Sequence, residues 1–229
     1  MSRRTCRHCG GSLEGLRSDA RCCSVRCRQA WARFQRKIKA RARAARPLRL
    51  AYADPPYPGK SYLYRGHPDY AGEVDHRALL DRLVRFDGWA LSTSAAALPL
   101  VVRELAELGV PDALEDPERG FAIASWGRGG RPGRARRPRS AWEPVVYRPA
   151  RFVVEEGRVE DLLVVAARRR STDPGALVGM KPAAFLGWLF ELLAARPGDA
   201  LEDFFPGSGG VGRAWRDFTS KALDAPEAP

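Results

Sequence analysis

The chain has 229 residues, 45% of them hydrophobic and 29% charged, which suits one ordinary apolar core plus a small module and excludes a disordered tail or a mini-protein. No run approaches the roughly 20 uncharged apolar residues of a membrane span, and Met1-Ser2-Arg3-Arg4-Thr5-Cys6 lacks a secretion signal's apolar segment, so the expected location is the cytoplasm. The formal net charge of +12 points to a polyanionic partner, although arginine outnumbers lysine 34 to 5, as a GC-rich coding sequence would produce.

That charge is unevenly placed. Residues 1–49 hold 15 Lys and Arg against only Glu14 and Asp19, a balance of +13, while residues 50–229 carry 24 bases against 25 acids. The division implies a basic N-terminal module with linker over 1–47, a main domain over 48–223 and a tail over 224–229.

All five cysteines lie between Cys6 and Cys27, and four of them form Cys6-x2-Cys9 and Cys23-x3-Cys27 with thirteen residues between the pairs. Each pair can turn two thiolates to one side, and the loop joins them into the tetrahedral four-sulfur shell that Zn²⁺ prefers. Gly10 and Gly11 suit the turn after the first pair, and Ser24 is placed to cap a helix running from about Val25 into Arg43. On that helix Cys27, Trp31, Phe34 and Ile38 share one stripe and the bases lie elsewhere. A structural metal would supply the folding free energy that so short a segment lacks. Cys22 is an alternative to Cys23, but Cys23 leaves Ser24 free to cap; a disulfide pair is disfavoured by a reducing compartment. His8 reads as a surface residue. The segment resembles the small bacterial zinc fingers that read Cys-x2-Cys-Gly, a loop, and Cys-Ser-x2-Cys-Arg-Gln before a basic helix, matched here at Cys6, Cys9, Gly10, Cys23, Ser24, Cys27, Arg28 and Gln29. Its basic helix is a candidate contact to a nucleic-acid backbone, the alternative being a solvated charged helix.

From Leu48 short apolar runs alternate with amphipathic segments, the mark of an α/β sheet with flanking helices. Strands are predicted over 48–53, 88–92, 121–126, 143–148, 162–166 and 200–205. Helices are predicted over 75–86, 95–108 and 182–195, with a last one opening at Gly212.

Two loops follow predicted strands, where open α/β sheets bind ligands. The first is Asp54-Pro55-Pro56-Tyr57. Its prolines stiffen the chain and remove two amide donors, so a substrate amine would meet the Asp54 carboxylate and the Pro55 carbonyl together. Tyr57 offers a flat face for stacking a base. The second loop, Asp203-Phe-Phe-Pro-Gly207-Ser208-Gly209-Gly-Val-Gly212, joins strand to helix with glycines where a ligand must approach the backbone, but it lacks the Lys-Ser/Thr ending of a phosphate loop.

Together these loops resemble the S-adenosylmethionine-dependent amino-methyltransferases, specifically the DNA adenine-N6 branch, in the permuted order that puts the catalytic motif first. The resemblance covers about residues 48–216, including Lys181-Pro182 before a helix and Pro197-Gly198-Asp199 after it. It implies a Rossmann-like methyltransferase sheet, with Asp54, Pro55, Pro56 and Tyr57 catalytic and Asp203, Phe205, Gly207, Ser208 and Gly209 binding cofactor. Lys181 would reach the cofactor's carboxylate, the alternative being a surface lysine at a helix start. The implied reaction is methyl transfer to a flipped-out adenine, with Asp54 and the Pro55 carbonyl accepting the N6 hydrogens so that the nitrogen can attack. The resemblance departs in one place: only 17 residues follow Gly212, and no further strand brings the acid that the family uses to hold the cofactor ribose.

Arg128, Arg131, Arg134, Arg136, Arg137 and Arg139 fall within twelve residues that contain no acid, a candidate DNA-reading loop, with a merely solvated loop as the alternative. Trp142-Glu143-Pro144, just after it, reads as structural. Two other readings stay open: a zinc-containing DNA-binding protein with a non-catalytic domain, and an RNA adenine methyltransferase. The expected partner is DNA and not a membrane, with the chain a monomer or dimer.

Overall fold

Strand Arg49–Ala53 (β1) is buried at every position but its first, and its alternate residues go to opposite faces: Leu50 and Tyr52 to one, Ala51 and Ala53 to the other. A strand apolar on both faces needs cover on both, and this one lies inside a six-stranded sheet. The computed structural model describes residues 4–33, 46–66, 70–129, 140–151, 159–167 and 180–223. The chain divides into two compact units, Met1–Arg46 and Pro47–Pro229.

In the first unit residues 4–13 fold back on themselves. Thr5 bridges Ser12 in antiparallel fashion, the Gly10 amide donates to the Cys6 carbonyl (2.9 Å), and Gly10 takes the left-handed φ of 73° that the reversal requires. Helix α1 begins at residue 25 and is described to residue 33. Ser24 caps it, with its Oγ accepting the Cys27 amide at 3.1 Å. The expected continuation of this helix to Arg43 lies outside the described residues.

In the second unit the remaining strands are β2 (Gly88–Ser92), β3 (Ala122–Gly127), β4 (Trp142–Arg148), β5 (Leu162–Val164) and β6 (Ala200–Asp203), in the order β5-β3-β4-β2-β1-β6. β1 runs parallel to β2 and β6, whereas β4 runs antiparallel to both of its neighbours, β2 and β3. Helices α2 (His76–Leu83) and α3 (Leu98–Glu107) cover one face through Leu79, Leu80, Leu83, Val101 and Leu105, packed on Ala51, Trp89, Leu91 and Val146. Helices α4 (Ala183–Leu192) and α5 (Gly210–Leu223) are associated with the other, where Phe185, Leu189 and Val211 join Tyr52, Trp126 and Val145. The result is a mixed α/β sheet between two helical layers. Among the described residues no helix is long and apolar enough to cross a membrane.

The predicted elements are all present; β2 has the predicted limits and most of the others have shifted ends. β1 starts one residue late because the Leu48 amide is taken by the Asp199 side chain (2.8 Å). α3 starts at Leu98 because residues 94–97 form a turn in which Ser94 Oγ accepts the Ala97 amide (3.2 Å). β6 stops at Asp203 and α5 already starts at Gly210. A 3₁₀ turn, Ser61–Tyr64, was not expected.

One ion pair ties the segment after β4 to the turn before β6. The side chains of Arg151 and Asp199 are 5% and 1% exposed, and the guanidinium donates to both carboxylate oxygens at 2.6 Å. Asp199 also accepts the Leu48 and Arg196 amides, each at 2.8 Å. Burial works against its charge, but these donors outweigh burial and hold its pKa below the ordinary carboxylate value.

Candidate functional site

Asp54 directly follows β1, so its position is set by a strand buried at every position but its first. The chain then turns through the two prolines to Tyr57, whose carbonyl accepts the Lys60 amide (2.8 Å), and Glu73 fixes the turn by accepting the Gly59 amide (2.6 Å). Next to β1, β6 brings Asp203 level with Tyr52, and the Phe204 amide donates to the Tyr52 carbonyl (2.9 Å). The two loops singled out in the sequence therefore leave adjacent parallel strands at the same end. Tyr52, between them, shares a 2.8 Å hydrogen bond with the Ser92 hydroxyl.

Asp203 Oδ1 accepts the Phe205 amide (3.2 Å), while its buried Oδ2 meets no donor among the described residues. Burial is the main cause that raises its pKa above the ordinary value; the Phe205 amide opposes this and the Asp54 charge adds to it. The loop then turns through Gly207 (φ 46°) and Gly209 (φ 71°), and the Gly209 amide donates to the Pro206 carbonyl (2.7 Å). An unmet acceptor beside a glycine-lined turn fits an ammonium or hydroxyl donor. Phe205 and Ser208 belong to this loop and are half-buried.

Lys181 lies at the other loop. Its Nζ donates to Asp54 Oδ1 (3.0 Å) and to Glu143 Oε2 (3.1 Å), and sits 3.0 Å from Asp54 Oδ2. The faces of Trp126 and Phe185, with centroids 5.4 and 5.7 Å away, complete its surroundings. Its side chain is 6% exposed, so the surface-lysine alternative is wrong: two carboxylates and two rings draw the ammonium inward. Burial opposes the charge, yet Asp54 and Glu143 outweigh it and raise the Lys181 pKa. At Asp54 burial leads and raises the pKa, Lys181 pulls it down, Glu143 adds to the rise, and the balance is upward.

Glu143 was read as part of a structural stretch and instead reaches this centre. β4 is antiparallel, and Val145 pairs with Ser92, the last residue of β2. Glu143, two residues earlier in β4, therefore reaches the rim where the parallel strands end. A signal existed: a lone acid before the apolar Val145-Val146 of a predicted strand needs a buried partner. Its Oε1 lies 3.3 Å from Arg128 Nη1. Tyr57 is half-buried nearby, and burial first, with the Asp54 and Glu143 charges next, lifts its pKa well above the usual value. Arg128 thus faces Glu143, while Arg131, Arg134, Arg136, Arg137 and Arg139 lie outside the described residues.

In the first unit the sulfur atoms of Cys6, Cys9, Cys23 and Cys27 all lie within 4.8 Å of one another, with Cys9 to Cys23 at 3.5 Å and Cys23 to Cys27 at 3.6 Å. Sulfurs bound tetrahedrally at about 2.3 Å from zinc stand about 3.8 Å apart, so the shell has the right size. Hydrogen bonds from the Cys9 and Cys23 backbone lower the Cys6 pKa to about 5, whereas contacts with the Cys9, Cys27 and Cys6 sulfurs raise Cys23 to about 12. Four thiols this close cannot all ionise without a cation among them, which a bound metal ion would supply. Cys22 is outside the cluster.

No family model matches the chain, and no curated protein does. Among solved structures it is similar to the crystal structure of the M1.HpyAVI-SAM complex, at 18% identity and a TM-score of 0.49, over 81% of this chain and 85% of that one. It is also similar to the crystal structure of M1.HpyAVI, at 16% identity and a TM-score of 0.46, over 80% of this chain and 82% of that one.

Proposed function

We propose that the chain is an S-adenosylmethionine-dependent methyltransferase acting on the exocyclic N6 of adenine in DNA. The observation that carries this reading is the juxtaposition of two loops on adjacent parallel strands: Asp54-Pro55-Pro56-Tyr57, and the glycine turn beside the unmet carboxylate oxygen of Asp203. S-adenosylmethionine, when bound, supplies a methyl group on a sulfonium sulfur. Asp203, Phe205, Gly207, Ser208 and Gly209 would hold it.

The chain's own residues do the rest. An exocyclic amine is a weak nucleophile because its lone pair is delocalised into the ring. Asp54 and the Pro55 carbonyl accept its two hydrogens, which lets the nitrogen pyramidalise and aim its lone pair at the methyl carbon. Pro56 keeps the turn rigid, and Tyr57 stacks on the base once it has left the duplex. After transfer the nitrogen must lose a proton. Asp54, with its pKa raised above the ordinary carboxylate value, can take that proton and pass it to water. Lys181 keeps Asp54 ionised beforehand, a role at the amine-accepting loop that differs from the cofactor contact expected of it. The bases of residues 1–49 and of the arginine loop would meet phosphates, and Cys6, Cys9, Cys23 and Cys27 would hold one structural zinc ion.

Expression in a methylation-free host, followed by digestion of its DNA to nucleosides, tests the reading. N6-methyladenine is expected with the intact protein. With Asp54→Ala, in vitro turnover should fall by about 10²–10³, the usual cost of removing a key polar group from a transition state. No modified adenine in DNA would overturn the reading, and modified adenine in RNA alone would move it to the RNA substrate.

A further inference from the structure

Four charged side chains meet at the rim of the sheet in alternating sign: Asp54, Lys181, Glu143 and Arg128, at successive separations of 3.0, 3.1 and 3.3 Å. They come from the end of β1, the approach to α4, the start of β4 and the end of β3. We propose that Glu143 is a positioning residue of the methyl-transfer site, sharing the Lys181 ammonium with Asp54 so that the Asp54 carboxylate keeps lone pairs for the substrate amine. The proposal rests on the methyl-transfer reading for its consequence but not for its geometry.

An ammonium has three hydrogens to give, and a carboxylate has about four places to receive them. Lys181 touches both oxygens of Asp54, and without a competitor its whole donor capacity would fall on that one group. Glu143 draws part of it away. Its side chain is 9% exposed, so its pull is little screened, and Arg128 neutralises its far oxygen. The arrangement has no net charge, which lets two carboxylates stand on one ammonium without expelling it. Among the described residues, the other titratable groups facing Asp54 are Tyr52, Tyr57, Tyr64 and Asp203, none of them a cation that could replace Lys181.

Glu143→Gln keeps the shape of this side chain and removes its charge. Lys181 then turns fully onto Asp54, which becomes a weaker acceptor and holds its proton less readily. The expected result for the full-length variant is a fall in kcat of about tenfold, with KM for the methyl donor within about twofold of wild type. The acid limb of the kcat profile should move to lower pH, because the variant loses the Glu143 charge that raises the Asp54 pKa. Glu143→Asp should recover part of kcat, and circular dichroism checks that both variants fold. An unmoved acid limb with kcat within about twofold would overturn the proposal.

A second measurement needs no turnover. The chain has five lysines, so the ζ-protons of Lys181 can be assigned in lysine-labelled protein by comparison with Lys181→Arg. Their exchange with water should be slow in the wild type and several times faster in Glu143→Gln. Equal exchange rates would overturn the positioning role whatever the activity. The expected exchange result in a protein that modifies no adenine would uphold the positioning role and sink the methyl-transfer reading.

Discussion

Within Met1–Arg46 the buried apolar residues, among those described, are Cys6 and Leu13, whereas Pro47–Pro229 buries three apolar clusters that include Trp89, Phe185 and Phe190. Among its described residues the first unit has a donor set in place of a core. The other has a core thick enough to carry polar groups inside it, among them Asp199, Glu143 and Lys181. The difference teaches where each unit would be fragile: the first to loss of a cation held by its thiols, the second to loss of a buried partner.

The strongest way to break this comparison is to deny the four thiols the metal proposed for them. Structural zinc contributes about 10–16 kcal/mol of apparent binding free energy in small fingers, so chelation should unfold the first unit outright. Hydrogen exchange of the full chain should then show lost protection over residues 4–33 and unchanged protection in β1 and β2. Elemental analysis should find about one zinc per chain before chelation. A chelated protein with intact protection throughout would show that the first unit has a core after all.

The next effect belongs to the second unit. Asp199→Ala removes the carboxylate that pairs with the buried Arg151, at a cost of about 3–5 kcal/mol in denaturant unfolding. The pH dependence gives the same group a signature. Its folded pKa is depressed, so its stabilisation is fully present above the unfolded carboxylate value and is lost as pH falls through the folded one. The variant should lack that part of the acid loss.

The smallest effect sharpens the contrast at one backbone position. α4 ends with the Ala195 amide donating to the Phe190 carbonyl and the Ala194 amide to the Glu191 carbonyl, each at 2.9 Å, which puts Ala194 at φ 49°. This is a helix stop that glycine makes without strain. Ala194→Gly should therefore stabilise the second unit by about 1 kcal/mol and leave the first untouched, as a thermal-unfolding midpoint would report.

Most of this fold was legible in the sequence because its central strands are apolar on both faces and bounded by turns. Leu50-Ala-Tyr-Ala53 can only be an interior strand, and Gly88–Ser92 has the predicted limits. The direction of β4 was not legible. An apolar strand reads the same whichever way it runs, and only the pairing of Val145 with Ser92 brings its first residues to the rim. The site divides in the same way. Asp54 and Asp203 announce themselves by motif, while Glu143 and the inward turn of Lys181 depend on which strands become neighbours.

The contact between Lys181 and Asp54 joins residues 127 apart in the chain, and the one between Lys181 and Glu143 spans 38. No contiguous fragment shorter than that interval contains both ends, so nothing smaller than most of the second unit can assemble the charged rim. Whatever binds there selects the completed sheet over every partly unravelled form. Ligand binding and resistance to unfolding are thereby linked, and a ligand's affinity can be read from how the melting temperature rises with its concentration.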